Sequence, residues 1–204
     1  MFGPRLAFTC ARFPGLPRGR GFGLPSAAGM GHLHLMDTVE IITQFGKMLE
    51  NLDRWLGAAS AFAEKKKFAP EVLAQSRLAP DQYELIRQVQ SACDAAKYAA
   101  AYLSGQKAPP HPDTEKTIGE LRARIQTCVQ YLESVKPSDY AGAAERRVAP
   151  PWLGGKWFQG ADYLMQLAVP NFYFHVATAY AILRHNGVEL GKLDYLGSLP
   201  IHDA

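Results

Sequence analysis

Apolar residues along this chain fall into four stripes of helical period. Ile41, Phe45, Met48, Leu52, Trp55, Leu56, Ala59 and Phe62 recur at steps of three and four, the one-faced pattern of an amphipathic helix. That pattern predicts a first helix from about Met36 to Lys67, ending before Pro70. A second helix is expected to open at Pro80-Asp81, where proline and a carboxylate both suit a first turn. It runs through Leu85, Ile86, Val89, Cys93, Ala96, Ala100 and Leu103 and stops at Gly105, a residue that readily ends helices. The third begins with the capping box Thr117-Ile118-Gly119-Glu120. It carries Ile118, Leu121, Ile125, Cys128, Val129, Leu132 and Val135, and ends before Pro137. The fourth is predicted from Gly160 to Asn186, with Arg184 and His185 in its last turn and Gly187 just beyond.

Residues 139–159 lose the helical period. Glu145 to Val148 and Lys156 to Gln159 flank Pro150-Pro151-Trp152-Leu153-Gly154-Gly155, which reads as a short β-hairpin with a wide turn. An isolated two-stranded ribbon is marginal in water, so Trp152, Trp157 and Phe158 are expected to lean it on the bundle. The predicted architecture is therefore all-α: a four-helix bundle over 36–204, with a long crossover connection and a hairpin between helices three and four.

Composition adds one boundary. Residues 1–35 hold four arginines (Arg5, Arg12, Arg18, Arg20), no acidic residue and many glycines and prolines. No regular period survives such a composition. A flexible tail is expected, or a start at Met30 or Met36. Organelle import is the other reading, against which the glycines and prolines count, because they spoil an amphipathic transit helix. The formal charge of +3 is carried by that tail, leaving the rest near neutral. A nucleic-acid partner would need a clustered basic face, and none is expected. Lys65-Lys66-Lys67 reads as a solvated helix end favoured by the dipole. No apolar run approaches the ~20 residues needed to cross a bilayer. Cys10, Cys93 and Cys128 share no paired spacing, and the last two fall on apolar helix positions, as in a reduced, cytoplasmic setting.

Candidate chemistry concentrates in the fourth helix. Pro170 interrupts its pattern and is expected to free the carbonyl of Gln166 and bend the helix. One turn on, Asn171, His175 and Thr178 share a face at i, i+4 and i+7, flanked by Phe172, Phe174, Ala177 and Ala181. If buried, each needs a partner, and a bond from His175 to Gln88 or to a tyrosine would supply one. His185 lies about 15 Å farther along the axis and roughly 80° around it, so it cannot share an ion with His175. His111 is expected to be exposed, and His32 and His34 idle. No zinc-binding, P-loop, dinucleotide or nucleophile-elbow motif is present.

At this helix the chain resembles the DinB-like superfamily of four-helix bundles, which includes thiol-dependent S-transferases and maleylpyruvate-isomerase-like enzymes. The likeness rests on Asn171-Phe172-Tyr173-Phe174-His175, then Leu183-Arg184-His185-Asn186-Gly187-Val188, and Asp194-Tyr195-Leu196-Gly197. Asp113 to Thr117 and Gly160 to Leu164 extend it over about 36–198, in a branch described only as a domain of unknown function. Family members carry His-x-x-x-His here and a third histidine on the second helix. The resemblance aligns His175 with the second histidine, Asn171 with the first and Gln88 with the third. Two imidazoles are thus replaced by amides, which are poor ligands for nickel or zinc.

Three readings follow. The first is a small-molecule site without a tightly held metal, with His175 as acid/base or hydrogen-bond donor and Gln88, Asn171 and Thr178 orienting the ligand. No cofactor is expected beyond a weakly bound divalent metal held through His175. The second is a degenerate metal-dependent thiol S-transferase or isomerase. The third is a non-enzymatic scaffold or stress protein that forms a homodimer through an apolar face.

Overall fold

The computed structural model describes residues 30–202, with side chains from Thr38 onward. Of the tail or misplaced start expected over 1–35, residues 1–29 lie outside the described residues, and 30–35 belong to the first helix. Four helices dominate: α1 (Met30–Lys66), α2 (Leu85–Ser104), α3 (Ile118–Ser134) and α4 (Val169–His185). The first already runs at Met30, so His32 and His34 lie on helical backbone.

Helices α1 and α2 each pack against both α3 and α4, and touch one another across the centre. The successive helices α2 and α3 are therefore direct neighbours, whereas α3 and α4 lie diagonally and their long connection crosses the bundle end. The core they enclose includes Phe45, Leu49, Leu52, Trp55 and Leu56 from α1, Val89, Cys93 and Ala96 from α2, Leu121, Ile125 and Cys128 from α3, and Phe172, Val176 and Ile182 from α4. Phe45 stacks on Phe172 at 4.1 Å. The small residues of α2, Ala92, Ala96, Ala99 and Ala100, are fully buried and let its neighbours approach closely.

The start of α2 differs from expectation. Pro80-Asp81 forms a turn, with Gln82 N–H donating to Ala79 O at 3.1 Å, and Leu85 N–H reaches back to Ser76 O at 2.9 Å. The helix then begins at Leu85 from an extended Glu84. Pro80 serves the turn because its fixed φ suits that position as well as a helix start. A single helical turn, Glu71–Ala74, precedes it. The α3 capping box forms as expected, Glu120 N–H donating to Thr117 Oγ1 and the Glu120 carboxylate accepting from Thr117 N–H.

Strands β1 (Arg147–Val148) and β2 (Phe158–Gln159) pair antiparallel, Arg147 opposite Gln159 and Val148 opposite Phe158. The hairpin leans through Val148, 1% exposed, and through Phe158, which packs on the core beside Tyr163. Trp152 and Trp157 remain more than half exposed, and Arg147 stacks over the Trp157 ring at 5.3 Å. Alternation along a two-residue strand sends only one side chain inward, so the tryptophans in the turn are carried outward.

The break at Pro170 takes a specific form. A helical turn, Gly160–Asp162, leads into a π-helical stretch, Tyr163–Ala168. Val169 N–H donates to Leu164 O, five residues back. The wider turn stands immediately before Pro170, whose ring has no N–H to continue the i→i−4 ladder, and helical dihedrals run on through Ala168 and Val169 into α4. Gly160 has a separate role: a Cβ there would lie 1.8 Å from Ala143 O. Only glycine lets the connector cross the helix start at that distance.

Candidate functional site

Helices α2 and α4 bring Gln88 and His175 together. His175 Nδ1 lies 2.8 Å from Gln88 Oε1, and the Gln88 carboxamide nitrogen donates to Tyr83 O at 3.1 Å. That second bond orients the amide, because its oxygen would repel another carbonyl. Oε1 therefore faces the imidazole and, being able only to accept, requires the ring hydrogen on Nδ1. Nε2 is left with its lone pair, since the side-chain hydrogen bond of His175 to a described residue runs through Nδ1.

Gln88 is fully buried and His175 is 8% exposed. Burial first, and the neighbouring Arg87 cation second, push the His175 pKa down to about 4. The ring is therefore neutral at pH 7, which alters one expectation: an imidazole near its ordinary value would trade protons freely, whereas this one holds a proton weakly. The Phe174 ring meets the His175 ring edge-on at 5.2 Å and is itself 55% exposed.

The other predicted positions behave differently. Thr178 is 7% exposed and its hydroxyl donates to Phe174 O at 2.6 Å, within its own helix. Its polar demand is met there. Asn171 is half-buried and makes no side-chain hydrogen bond to a described residue. His185 lies at the exposed end of α4. Among the described residues no group of three His, Cys, Asp or Glu could hold a metal ion.

A second polar cluster was not anticipated. Arg124, 4% exposed, donates to Asp94 at 2.9 Å, to Glu115 at 3.1 Å and to Pro112 O at 3.4 Å, and pairs with Asp113 at 3.1 Å. Lys97, 1% exposed, pairs with the same Asp94 at 2.8 Å. Asp113 also bonds Arg87, so the network reaches from the α2–α3 connector to the edge of the His175 site. His111, expected on the surface, has both ring nitrogens sealed without a partner. Burial first, then Lys97 and Arg124, lower its pKa. The signal was available: Arg124 sits three residues after Leu121 and four before Cys128, on the apolar stripe, and Lys97 follows Cys93 by four. A cation on a buried stripe implies a carboxylate brought to it.

An antiparallel-paired hairpin on four helices, with a polar pair between α2 and α4, defines a DinB-like bundle protein. The chain belongs to the family described as a domain of unknown function, DUF1993, whose model matches residues 39–196. It is also similar to the crystal structure of a DinB family member protein from Shewanella denitrificans, with 48% identity and a TM-score of 0.79, covering 83% of this chain and 99% of that one. No curated protein matches it. Among the described residues no helix is long and apolar enough to cross a membrane.

Proposed function

We propose that this protein binds a small polar molecule at the α2–α4 edge without a tightly held transition metal, and that His175 Nε2 is the atom that meets it. The carrying observation is the pair of bonds through Gln88, which leaves the Nε2 lone pair oriented and without a bond to a described residue. A lone pair so placed accepts a hydrogen bond from a hydroxyl, thiol or amide of the ligand. With its pKa near 4, the ring suits accepting a hydrogen bond better than removing a proton at neutral pH. Asn171 supplies an amide on the same face, one helical turn away.

The donor set argues against a transition metal. Zinc and nickel favour several nitrogen or sulfur ligands. Here both polar ends of Gln88 are engaged, Asn171 offers a neutral amide, and His175 Nε2 is the single imidazole nitrogen left. Metal analysis of the purified protein tests this part, and a stoichiometric nickel or zinc content would overturn it. The binding part is tested by imidazole nitrogen NMR at neutral pH against a panel of small alcohols, phenols, thiols and amides. A compound that moves the His175 Nε2 resonance supports the reading. Complete silence across the panel favours the alternative.

That alternative is structural. One observation favours it: neither of two surface clefts, of about 450 and 230 Å³, is lined by His175, Gln88 or Asn171. On this reading the His175–Gln88 bond sets the register of α2 against α4, and the protein works as a scaffold.

A further inference from the structure

The connector between α2 and α3 holds a histidine that the His175 site does not use. Pro109, Pro110 and Pro112 flank His111 and supply no backbone N–H, so residues 107–117 have little hydrogen bonding of their own. Thr114 N–H donates to Pro112 O at 3.0 Å, and side chains make the remaining attachments. Arg124 from α3 reaches Pro112 O at 3.4 Å, Glu115 at 3.1 Å and Asp113 at 3.1 Å. From α2, the Gln90 carboxamide donates to Glu115 at 2.9 Å, and Arg87 pairs with Asp113.

Pro110 and Pro112 stay exposed while His111 turns its ring inward, with both nitrogens sealed from water and without a partner. The charges facing the ring are Lys97 and Asp94 on α2, Arg124 on α3 and Glu115 in the connector itself. Neither carboxylate is free to receive an imidazolium. Asp94 already accepts from Arg124 at 2.9 Å and from Lys97 at 2.8 Å, and Glu115 accepts from Arg124 and Gln90. A neutral ring leaves one donor and one acceptor unmet. A protonated ring would leave two charged donors unmet beside two cations, which costs far more in a buried position. Water satisfies that cation, and a segment attached mainly by side chains can open locally to reach it.

We propose that residues 107–117 form an acid-released strap: on protonation the His111 ring moves into water, and the connector detaches from Arg124 while α2 and α3 stay folded. The closed strap favours the neutral ring, and the open one binds a proton at the ordinary histidine value, about 6.5. Closure is therefore complete above that pH and is lost as pH falls below it. Opening also takes Asp113 away from Arg87, the cation whose charge reaches His175. It needs no ligand at that site.

Hydrogen exchange of the full chain at pH 7 and pH 5, corrected for the intrinsic pH dependence of exchange, tests the strap. Protection of 107–117 is expected to fall about tenfold at the lower pH, while the centres of α2 and α3 keep theirs. His111→Leu and His111→Gln, neither of which can take up the proton, are expected to hold the connector equally at both pH values. His175→Gln is expected to leave the fall intact. Unchanged connector protection at pH 5 in the wild-type chain overturns the proposal. So does a fall that survives both His111 substitutions, which would assign it to Asp113 or Glu115, or one that vanishes in His175→Gln.

Discussion

Gln88 and His175 meet at 2.8 Å across the α2–α4 interface although 87 residues separate them in the chain. Gln88 satisfies two groups at once, the His175 Nδ1–H and the Tyr83 carbonyl. Gln88→Leu therefore strands a buried donor as well as removing two bonds. Its expected cost is about 1–3 kcal/mol per orphaned group, read from urea denaturation. Replacing both residues by leucine removes the stranded donor, so the double variant should lose less than the sum of the singles. Strict additivity would show that the two side chains do not act as a pair.

The pH dependence of stability follows from the same ring. Its folded pKa, about 4, lies below the ordinary histidine value. Between those values the unfolded chain binds a proton that the folded chain refuses, so stability rises with pH across that window. Stability from this group is complete above about pH 6.5. It is lost as pH falls toward 4, by roughly 3 kcal/mol at most. His111 shifts in the same direction and steepens the slope. Thermal denaturation from pH 7 to 4 should show the effect, and His175→Gln should flatten the curve. An unchanged slope in that variant would mean that the ring titrates normally.

The bundle was legible because burial in it follows a 3.6-residue period, and the stripes of α1 and α3 match the observed core closely. The Gln88–His175 contact was reachable too, once His175 was seen as a polar group on an apolar face in need of a partner. Local rules misled where two structures share one signature. Pro80-Asp81 opens a turn as readily as a helix, and nothing nearby in sequence distinguishes them. The network around Arg124 joins residues from α2, α3 and their connector, a coincidence that no periodicity encodes. Burial of His111 depends on that same network. The neutrality of His175 was equally hidden, since it comes from burial and from Arg87 held nearby.

Thr178 separates spacing from participation. It shares a face with His175, yet its hydroxyl is spent on the Phe174 carbonyl. Side chains bonded back into their own helix contribute little net stability. Thr178→Val should therefore cost under about 1 kcal/mol and leave the His175 Nε2 resonance where it is. A displaced resonance would return Thr178 to the site.

At the head of the last helix, Gly160→Ala should be severe for its size. The added methyl would overlap the Ala143 carbonyl, and the neighbouring bond from Ala161 N–H to Ala144 O, 2.9 Å, resists separation of the two segments. Overpacking of this kind costs about 1–3 kcal/mol, whereas alanine at an unconstrained helix position would stabilise. Denaturation decides the sign, and a stabilised variant would refute the close approach.

Arg124 gives the largest expected loss. It is 4% exposed and serves acceptors on α2, on the connector and at Pro112 O. Removing one member of a buried ion network leaves its partners uncompensated, at about 3–5 kcal/mol. Here Asp94 and Asp113 retain 29% and 34% of their side-chain surface, so water can rehydrate them, and the expected cost of Arg124→Met is about 2–3 kcal/mol. Lysine should rescue little, because a single ammonium cannot span acceptors arranged around a planar fork. The connector supplies a readout that a generally weakened core would not. Residues 107–117 contain no helix or strand and depend on this guanidinium, so their hydrogen exchange should accelerate before that of α2 and α3. Uniform acceleration across all three would mean that Arg124 supports the core as a whole rather than pinning the connector.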